Sequence, residues 1–218
     1  GTVTATVSDG DLDTLTGLAA RANAALTVTV TDTAGTAAEL NTVNAGTTQA
    51  VTITNITAIE ASTISDINTL RTSLASDFSG ATNIANVSVS GNTVDYTLLD
   101  AEINAFNLLN SPTAFALAAT TTVTLDDQSE VTDFISDVTS DPALLVVSGA
   151  NQAVTVTNSG AGGVDITVAE ANNITANAGG TVTATVSDGD LDTLTGLAAR
   201  ANAALTVTVT DTAGTAAE

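Results

Sequence analysis

The first 39 residues of the chain return without a change at residues 180–218, an offset of 179 positions. Exact repetition of this length predicts an array of equal units, because each repeat can then stack on its neighbour through the same contacts. We therefore divide the 218-residue chain into one complete repeat, 1–179, and the start of the next identical repeat, 180–218. The second copy ends at Glu218, the counterpart of Glu39 in mid-unit, so we expect the chain to be a segment of a longer tandem array.

Segments in which Val or Ile alternates with Thr or Ser recur along the repeat. Alternation places apolar side chains on one face of a strand and hydroxyls on the other, which predicts sheets with one buried face. The main segments are 3–7, 25–30, 50–54, 86–90, 122–126, 143–147, 153–157 and 165–167.

Short helices are predicted between many of these strands. Segments beginning at Thr36, Thr57 and Thr167 have the Thr-x-x-Glu spacing of a capping box, and Asp127-Gln-Ser-Glu130 is a looser version. Apolar residues then follow at helical spacing, in stripes narrow enough that each helix needs a sheet to pack against. The stripes are Leu12, Leu15 and Leu18; Ile67, Leu70 and Leu74; Ile103, Phe106 and Leu109; and Val131, Phe134 and Val138.

The alternation of strand and short helix, at about 23 to 34 residues per turn, predicts a β-rich α/β solenoid. In this fold, parallel strands stack on one another with short helices on one face. Seven or eight turns per repeat would advance about 35 Å at the usual strand spacing. The alternative is a series of tandem antiparallel β-sandwich repeats, because segments 86–98 and 143–157 each fit a hairpin.

The net charge limits which partners the chain can bind and where it can be located. Twenty-four acidic residues face three arginines and no lysine, for a net charge of −21. Such a chain repels nucleic acids and anionic membrane surfaces, and its self-repulsion calls for salt or divalent cations. No apolar run is long enough to cross a bilayer, so no membrane insertion is expected. We predict an extracellular or cell-surface location.

The composition also excludes several kinds of catalytic and metal site. The chain has no His and no Cys, which rules out Ser-His-Asp and Cys-His catalysis and zinc sites built on those ligands. Without Lys it has no phosphate-binding P-loop. A glycosidase needs only two carboxylates, but aromatic side chains for sugar stacking make up just 2% of the residues. We therefore expect no enzyme; the carboxylate candidates are Asp9, Asp11, Asp13, Asp126, Asp127, Glu130 and Asp133.

The segment SDGDLD, residues 8–13, is the most specific candidate for a metal-binding site in the sequence. Its alternating acids resemble the first half of a calcium-binding EF-hand loop, but Thr14 and Ala20 stand where that loop needs Gly and Glu. The same acids can instead cap a helix that begins near Leu12, so capping and a shared Ca²⁺ both remain open. The candidate Ca²⁺ ligands are Asp9, Asp11, Asp13, Asp126, Asp127, Asp188, Asp190 and Asp192.

The VTVT strands, the T-x-x-E junctions and the segments GLAARANA, LNTVNAG and NNITANAG resemble a known kind of sequence. They are similar to the β-strand-repeat regions of giant bacterial cell-surface and secreted proteins, notably those of marine cyanobacteria. This resemblance covers essentially the whole chain. It implies a secreted, surface-displayed protein that forms fibres or a matrix.

Together these features predict a non-enzymatic structural protein. We expect a tandem-repeat segment of an extracellular filament, sheath or surface layer, assembled by end-to-end stacking of identical units. Its partner is then itself, as the next repeat in the same chain and as neighbouring copies. One alternative is an adhesin or an ice- or surface-binding extender repeat, and a second is a surface glycan-active enzyme with a carboxylate pair.

Overall fold

The computed structural model describes residues 1–18, 24–109, 113–118, 120–140, 144–149, 151–157 and 164–211. These residues form short strands and short α-helices in alternation. The strands are β1 (Val3–Thr6), β2 (Ala24–Thr27), β3 (Ala34–Thr36), β4 (Val51–Thr52), β5 (Ala58–Thr63), β6 (Phe78–Ser79), β7 (Asn86–Ser90), β8 (Thr93–Asp95), β9 (Ala114–Leu117), β10 (Thr122–Leu125), β11 (Leu145–Val146), β12 (Ala153–Val156), β13 (Val182–Val186) and β14 (Ala203–Val207). The α-helices are α1 (Leu12–Leu15), α2 (Ala37–Ala45), α3 (Ile64–Leu74), α4 (Tyr96–Leu109), α5 (Gln128–Thr139), α6 (Val168–Asn177) and α7 (Leu191–Leu194).

The chain divides into two compact units. The first contains Gly1–Ser90 and Ala101–Ala116, and the second contains Gly91–Asp100 and Leu117–Glu218. Helix α4 runs through the division, with its first five residues in the second unit. In the described part of the chain, no helix is long and apolar enough to cross a membrane.

Parallel strands build both units. In the first unit, β3, β5, β7 and β9 lie side by side in that order, and β1 pairs with β2 and β4 with β6. In the second unit the order is β8, β10, β12, β13 and β14. Residues paired between two of these strands lie from 21 positions apart, as in Val3 and Ala24, to 31 apart, as in Thr122 and Ala153. The architecture is therefore α/β, with parallel sheets and short helices.

The antiparallel alternative is wrong for the described residues, because β7, β8 and β12 of the two suggested hairpins pair in parallel with other strands. Strand β7, the first arm of the suggested hairpin at 86–98, pairs with β5, and β8 pairs with β10. In the second suggested hairpin, 143–157, strand β12 pairs with β10 and β13. The hydrogen-bonding edges of these strands are filled by partners from neighbouring turns of the chain, so a local turn does not decide the pairing.

The division of the strands into an apolar and a hydroxyl face is confirmed in the second unit. Val94, Val123, Val154 and Val182 stand in register across four strands and all are buried. The next position along each strand points to the other face and carries Asp95, Thr124, Thr155 and Thr183. Stacking in register therefore buries a column of valines that no single strand could cover alone.

Two of the three predicted capping boxes are confirmed. Thr36 starts α2 and Thr167 starts α6, each with the reciprocal hydroxyl and carboxylate bonds. The box at Thr57 is wrong, because the residues that follow it form β5. The helix begins at Ile64 instead, where the side chain of Thr63 accepts a hydrogen bond from the Asp66 amide.

Candidate functional site

The first repeat contacts the second copy of the 39-residue segment through the pairing of β12 with β13, which both lie in the second unit. Val154 pairs with Val182 and Thr155 with Thr183 in parallel register. The Val154 amide donates to the Thr181 carbonyl at 3.0 Å. Parallel pairing of this kind is the contact that joins the other strands of the sheet, so the repeat boundary at residue 180 does not interrupt the sheet.

A second line of backbone contacts lies just before α6. The Ile166 amide donates to the Thr185 carbonyl at 2.9 Å, and the Ser187 amide donates to the Ile166 carbonyl at 2.9 Å. Ile166 and Val186 form a parallel bridge, and both side chains are buried. The end of the first repeat thus holds the new copy at two successive points along β13.

Helix α6 contributes the third part of the junction. Its first amide, that of Val168, donates to the Asp188 carboxylate at 2.8 Å. The Asn172 side chain donates to the Gly196 carbonyl at 2.9 Å and accepts from the Ala198 amide at 2.8 Å. Asp188 therefore satisfies an orphan amide at the start of a helix in the preceding repeat.

Asn202, which lies in the second copy, also stabilises the junction. Its side-chain amide group lies 3.2 Å from the Thr175 carbonyl, 2.7 Å from the Ala178 carbonyl and 3.3 Å from the Gly180 carbonyl. Thr175 lies in α6, whereas Ala178 and Gly180 lie between α6 and β13. Neither Asn172 nor Asn202 was singled out from the sequence, because an exposed-looking amide in a polar chain carries no distinguishing pattern.

Gly180 lies where two backbones approach each other closely. Its amide donates to the Gln152 carbonyl at 3.0 Å. A Cβ atom on Gly180 would lie 2.6 Å from the Gln152 carbonyl oxygen, inside van der Waals contact, whereas a Cβ atom on its copy Gly1 would meet nothing within 4 Å. The close approach of the two backbones at the junction therefore requires glycine at position 180.

Four of the aspartates predicted as Ca²⁺ ligands in the two copies of SDGDLD accept hydrogen bonds from backbone amides: Asp9, Asp11, Asp188 and Asp190. Asp11 caps α1 by accepting from the Thr14 amide at 3.3 Å, and Asp190 caps α7 in the same way. Asp9 accepts from the Asp11 amide at 3.1 Å. Asp13 and its copy Asp192 stand in the first turns of α1 and α7, where an acid interacts favourably with the helix dipole.

The remaining predicted ligands lie at the start of α5. Asp127 caps that helix by accepting from the Glu130 amide at 2.9 Å. The buried Glu130 carboxylate accepts from the Thr97 amide at 2.9 Å, from the Thr97 hydroxyl and from the Asp126 amide at 2.5 Å. Asp126 is exposed, and the nearby Glu130 charge raises the pKa of its carboxyl. These oxygens hold strands and helices together.

Within the ranges that the structure describes, no group of three or more carboxylates is placed to hold a metal ion. No protein-family model matches the chain, and no curated protein or solved structure matches it either. Calcium binding stays a prediction. The geometry identifies the junction between repeats as the candidate functional site.

The second unit also contains a buried carboxyl group that the sequence did not single out. The Tyr96 hydroxyl donates to the Asp137 carboxylate at 2.7 Å, and both side chains are buried. Burial raises the pKa of Asp137 to about 6, helped by the charges of Asp100 and Asp133, while the Tyr96 hydrogen bond opposes the rise. Burial and the neighbouring Asp137 raise the pKa of Tyr96.

This carboxyl group predicts a pH dependence of stability. Between its ordinary pKa of 3.8 and its folded value of about 6, the folded state binds more protons at Asp137 than the unfolded state does. The contribution of Asp137 to the free energy of unfolding is therefore complete below the ordinary value and falls as pH rises through the folded value. We expect an Asp137→Asn variant to gain stability relative to the parent over this pH range, as measured by urea unfolding.

A Tyr96→Phe variant tests whether the Tyr96 hydrogen bond lowers the pKa of Asp137. It removes the hydrogen bond that favours the ionised carboxylate, so the carboxyl ¹³C titration of Asp137 should shift to higher pH. Parallel stability-against-pH curves for the parent and the Asp137→Asn variant would contradict the prediction.

Proposed function

We propose that the chain is a non-enzymatic structural protein, a tandem-repeat segment of an extracellular filament, sheath or surface layer. The proposal rests on the junction, where the second copy of the 39-residue segment continues the sheet of the first repeat in parallel register. A copy placed in this way is already a joint between two repeats. In the proposed filament, the binding partner of each repeat is the next identical repeat.

The finer form of the proposal is a continuous α/β solenoid. The two copies support it because they adopt the same local structure in different surroundings. Val3 pairs with Ala24 in the first copy, and Val182 pairs with Ala203 in the second. A unit that keeps its internal register whether or not it is covered can be added repeatedly without rearrangement.

The helices give the expected length of one repeat. The described residues of 1–179 contain six α-helices, α1 to α6, and we take each of them to mark one turn of the proposed solenoid. With one strand spacing per helix-bearing turn, a repeat would advance about 29 Å along the solenoid axis. The seven or eight turns expected from the sequence would instead give about 35 Å.

The carboxylates considered for catalysis support a structural role. Asp11, Asp127 and Glu130 all accept backbone amides at helix starts or between turns of the chain. A glycosidase instead needs one carboxyl to protonate the leaving group and another to act as nucleophile or base. The charge of −21 and the lack of cysteine agree with a saline, cation-rich location outside the cell.

Tandem arrays of different length test the proposal directly. Proteins with one, two and four copies of residues 1–179, each followed by the 39-residue start, should form rigid rods in electron micrographs and small-angle scattering. Their length should grow by about 29 Å per added repeat. Globular beads that move independently would contradict the solenoid and favour the adhesin or extender alternative.

The same arrays test the cation prediction. They should be measured in seawater-like salt with calcium and again with a chelator. Rods that bend or dissociate on chelation would assign calcium to the acidic segments. Rods of unchanged length and stiffness would leave the aspartates with helix capping alone.

A further inference from the structure

A polar cavity of about 210 Å³ lies in the first unit, at the C-terminal ends of α2 and α3. One wall is the segment that leads from α2 into β4, and the other is the segment that leads from α3 into β6. These two strands pair in parallel, Val51 with Phe78 and Thr52 with Ser79, so the cavity lies between adjacent turns of the chain. The polar residues that line it are Asn44, Thr47, Thr48, Gln49, Ser76 and Asp77.

Asp77 supplies the one carboxylate of this lining. The side chains of Ser76 and Asn44 donate hydrogen bonds to it, the Asn44 amide at 3.2 Å, and these bonds hold the pKa of Asp77 below its ordinary value of 3.8. Among the residues that the structure describes, the only ion pair joins Arg71 to Glu102. Asp77 is therefore a negative charge with no cationic side chain beside it.

The two helix ends add to the negative potential of the cavity. The last carbonyls of an α-helix carry partial negative charge, which favours a cation close to the final turn. Helix α2 has no basic residue in its last turn, and Arg71, the basic residue in the last turn of α3, is neutralised by Glu102. A cation bound in the cavity would be stabilised by both helix ends.

The hydrogen-bond donors of the lining are engaged within the protein. The Thr47 hydroxyl donates to the Leu26 carbonyl at 2.7 Å, and the Thr48 hydroxyl donates to the Ala24 carbonyl at 3.1 Å. The donors of Ser76 and Asn44 serve Asp77, as described above. These residues therefore present mainly oxygen lone pairs to a ligand, which suits a cation better than an anion.

We propose that this cavity binds a divalent cation, with Ca²⁺ preferred over Mg²⁺. Ca²⁺ takes oxygen ligands in irregular geometry and keeps water among them, whereas Mg²⁺ demands a near-ideal octahedron. The protein ligands would be the Asp77 carboxylate and the side-chain oxygens of Asn44 and Gln49. With a single carboxylate, the expected Kd is that of extracellular calcium modules, about 0.1–1 mM. The site is separate from the acidic segments singled out in the sequence, and it goes beyond the proposed structural role.

Hydrogen exchange of the full chain during a calcium titration tests the proposal. NaCl is replaced by CaCl₂ at constant ionic strength, so that the general screening of the chain's charge stays the same. With a Kd near 1 mM, amides in 44–52 and 76–80 whose exchange requires opening of the site should exchange about tenfold more slowly at about 10 mM CaCl₂. MgCl₂ at the same concentration should have a smaller effect.

Three variants assign the effect to the cavity. Asp77→Asn should abolish the slowing, because it removes the charged ligand and keeps the shape of the side chain. Asn44→Asp adds a second carboxylate beside Asp77 and should lower the Kd at least about tenfold, a gain that misfolding cannot produce. Glu60→Gln is the matched control, since it removes an exposed carboxylate of the same unit and should leave the titration unchanged.

Three results would overturn the inference. The first is that calcium does not slow exchange in 44–52 and 76–80 of the parent. The second is that Asp77→Asn and Glu60→Gln weaken the effect equally, which would assign it to the diffuse charge of the chain. The third is that the slowing is confined to the acidic segments 8–13 and 126–133. The length increments expected of tandem arrays are the same in every case, so failure of this inference is distinguishable from failure of the proposed function.

Discussion

An Arg71→Ala variant is expected to destabilise the first unit by about 3–5 kcal/mol, because it leaves a buried carboxylate without its cation. Arg71 Nε lies 2.7 Å from Glu102 Oε2, and the Glu102 side chain is only 2% exposed. The other Glu102 oxygen accepts from the Asn68 side chain at 2.6 Å. The pair joins α3 to the part of α4 that belongs to the first unit.

The chain supplies its own control for this prediction. Arg200 is exposed, so Arg200→Ala removes the same charge from the chain and should change the free energy of unfolding by less than about 0.5 kcal/mol. Urea unfolding gives the overall change, and hydrogen exchange of peptides from α3 and α4 locates it. Equal losses for the two variants would show that net charge, not the buried pair, is responsible.

A double variant separates the buried charge from the lost packing. Glu102→Gln removes the uncompensated charge and keeps an acceptor for Asn68. We expect Arg71→Ala/Glu102→Gln to recover more than half of the stability that Arg71→Ala loses. No recovery would assign the loss to the arginine's packing against its neighbours.

The second large effect is expected from Gly180→Val. The added Cβ would lie within 3 Å of three backbone atoms of Gln152, which cannot move aside as a flexible side chain can. We expect a loss of about 3 kcal/mol, the upper end of the usual cost of overpacking. Gly180 has no left-handed backbone, so the loss is steric and Gly180→Ala should already carry most of it.

Gly1→Val is the matched control, because it makes the same substitution in the same sequence with nothing within 4 Å. Its effect should stay below about 0.5 kcal/mol. Hydrogen exchange should show faster exchange of 153–157 and 182–186 in Gly180→Val and no change in Gly1→Val. Comparable losses in the two variants would mean that the glycine matters for its own segment and not for the junction.

Much of the fold could be predicted from the sequence, because its signals are local and repeated. Alternation identified the buried valines, and the capping boxes at Thr36 and Thr167 were found from spacing alone. The box at Thr57 failed because the same residue types also suit a strand. There, Ile59 is buried and β5 is paired on both sides by β3 and β7, and these tertiary contacts outweigh a single cap.

The candidate site could not be predicted in the same way. Asp9 and Asp188 have identical neighbours in sequence, yet of the two only Asp188 accepts a hydrogen bond from the first amide of α6. The hydrogen bonds of the two aspartates differ only because different residues lie next to each copy in the fold. The repetition itself was the only signal in the sequence that pointed to the junction.

In the proposed solenoid, a repeat length of about 29 Å has a consequence for the electrostatics of a long array. Residues 1–179 contain nineteen acids and two arginines, a net charge of −17. Spread over about 29 Å, this is one negative charge per ~1.7 Å, the linear charge density of duplex DNA. The proposed filament would thus be a strong polyelectrolyte, surrounded by a condensed layer of cations that is fixed by its geometry and needs no dedicated binding site.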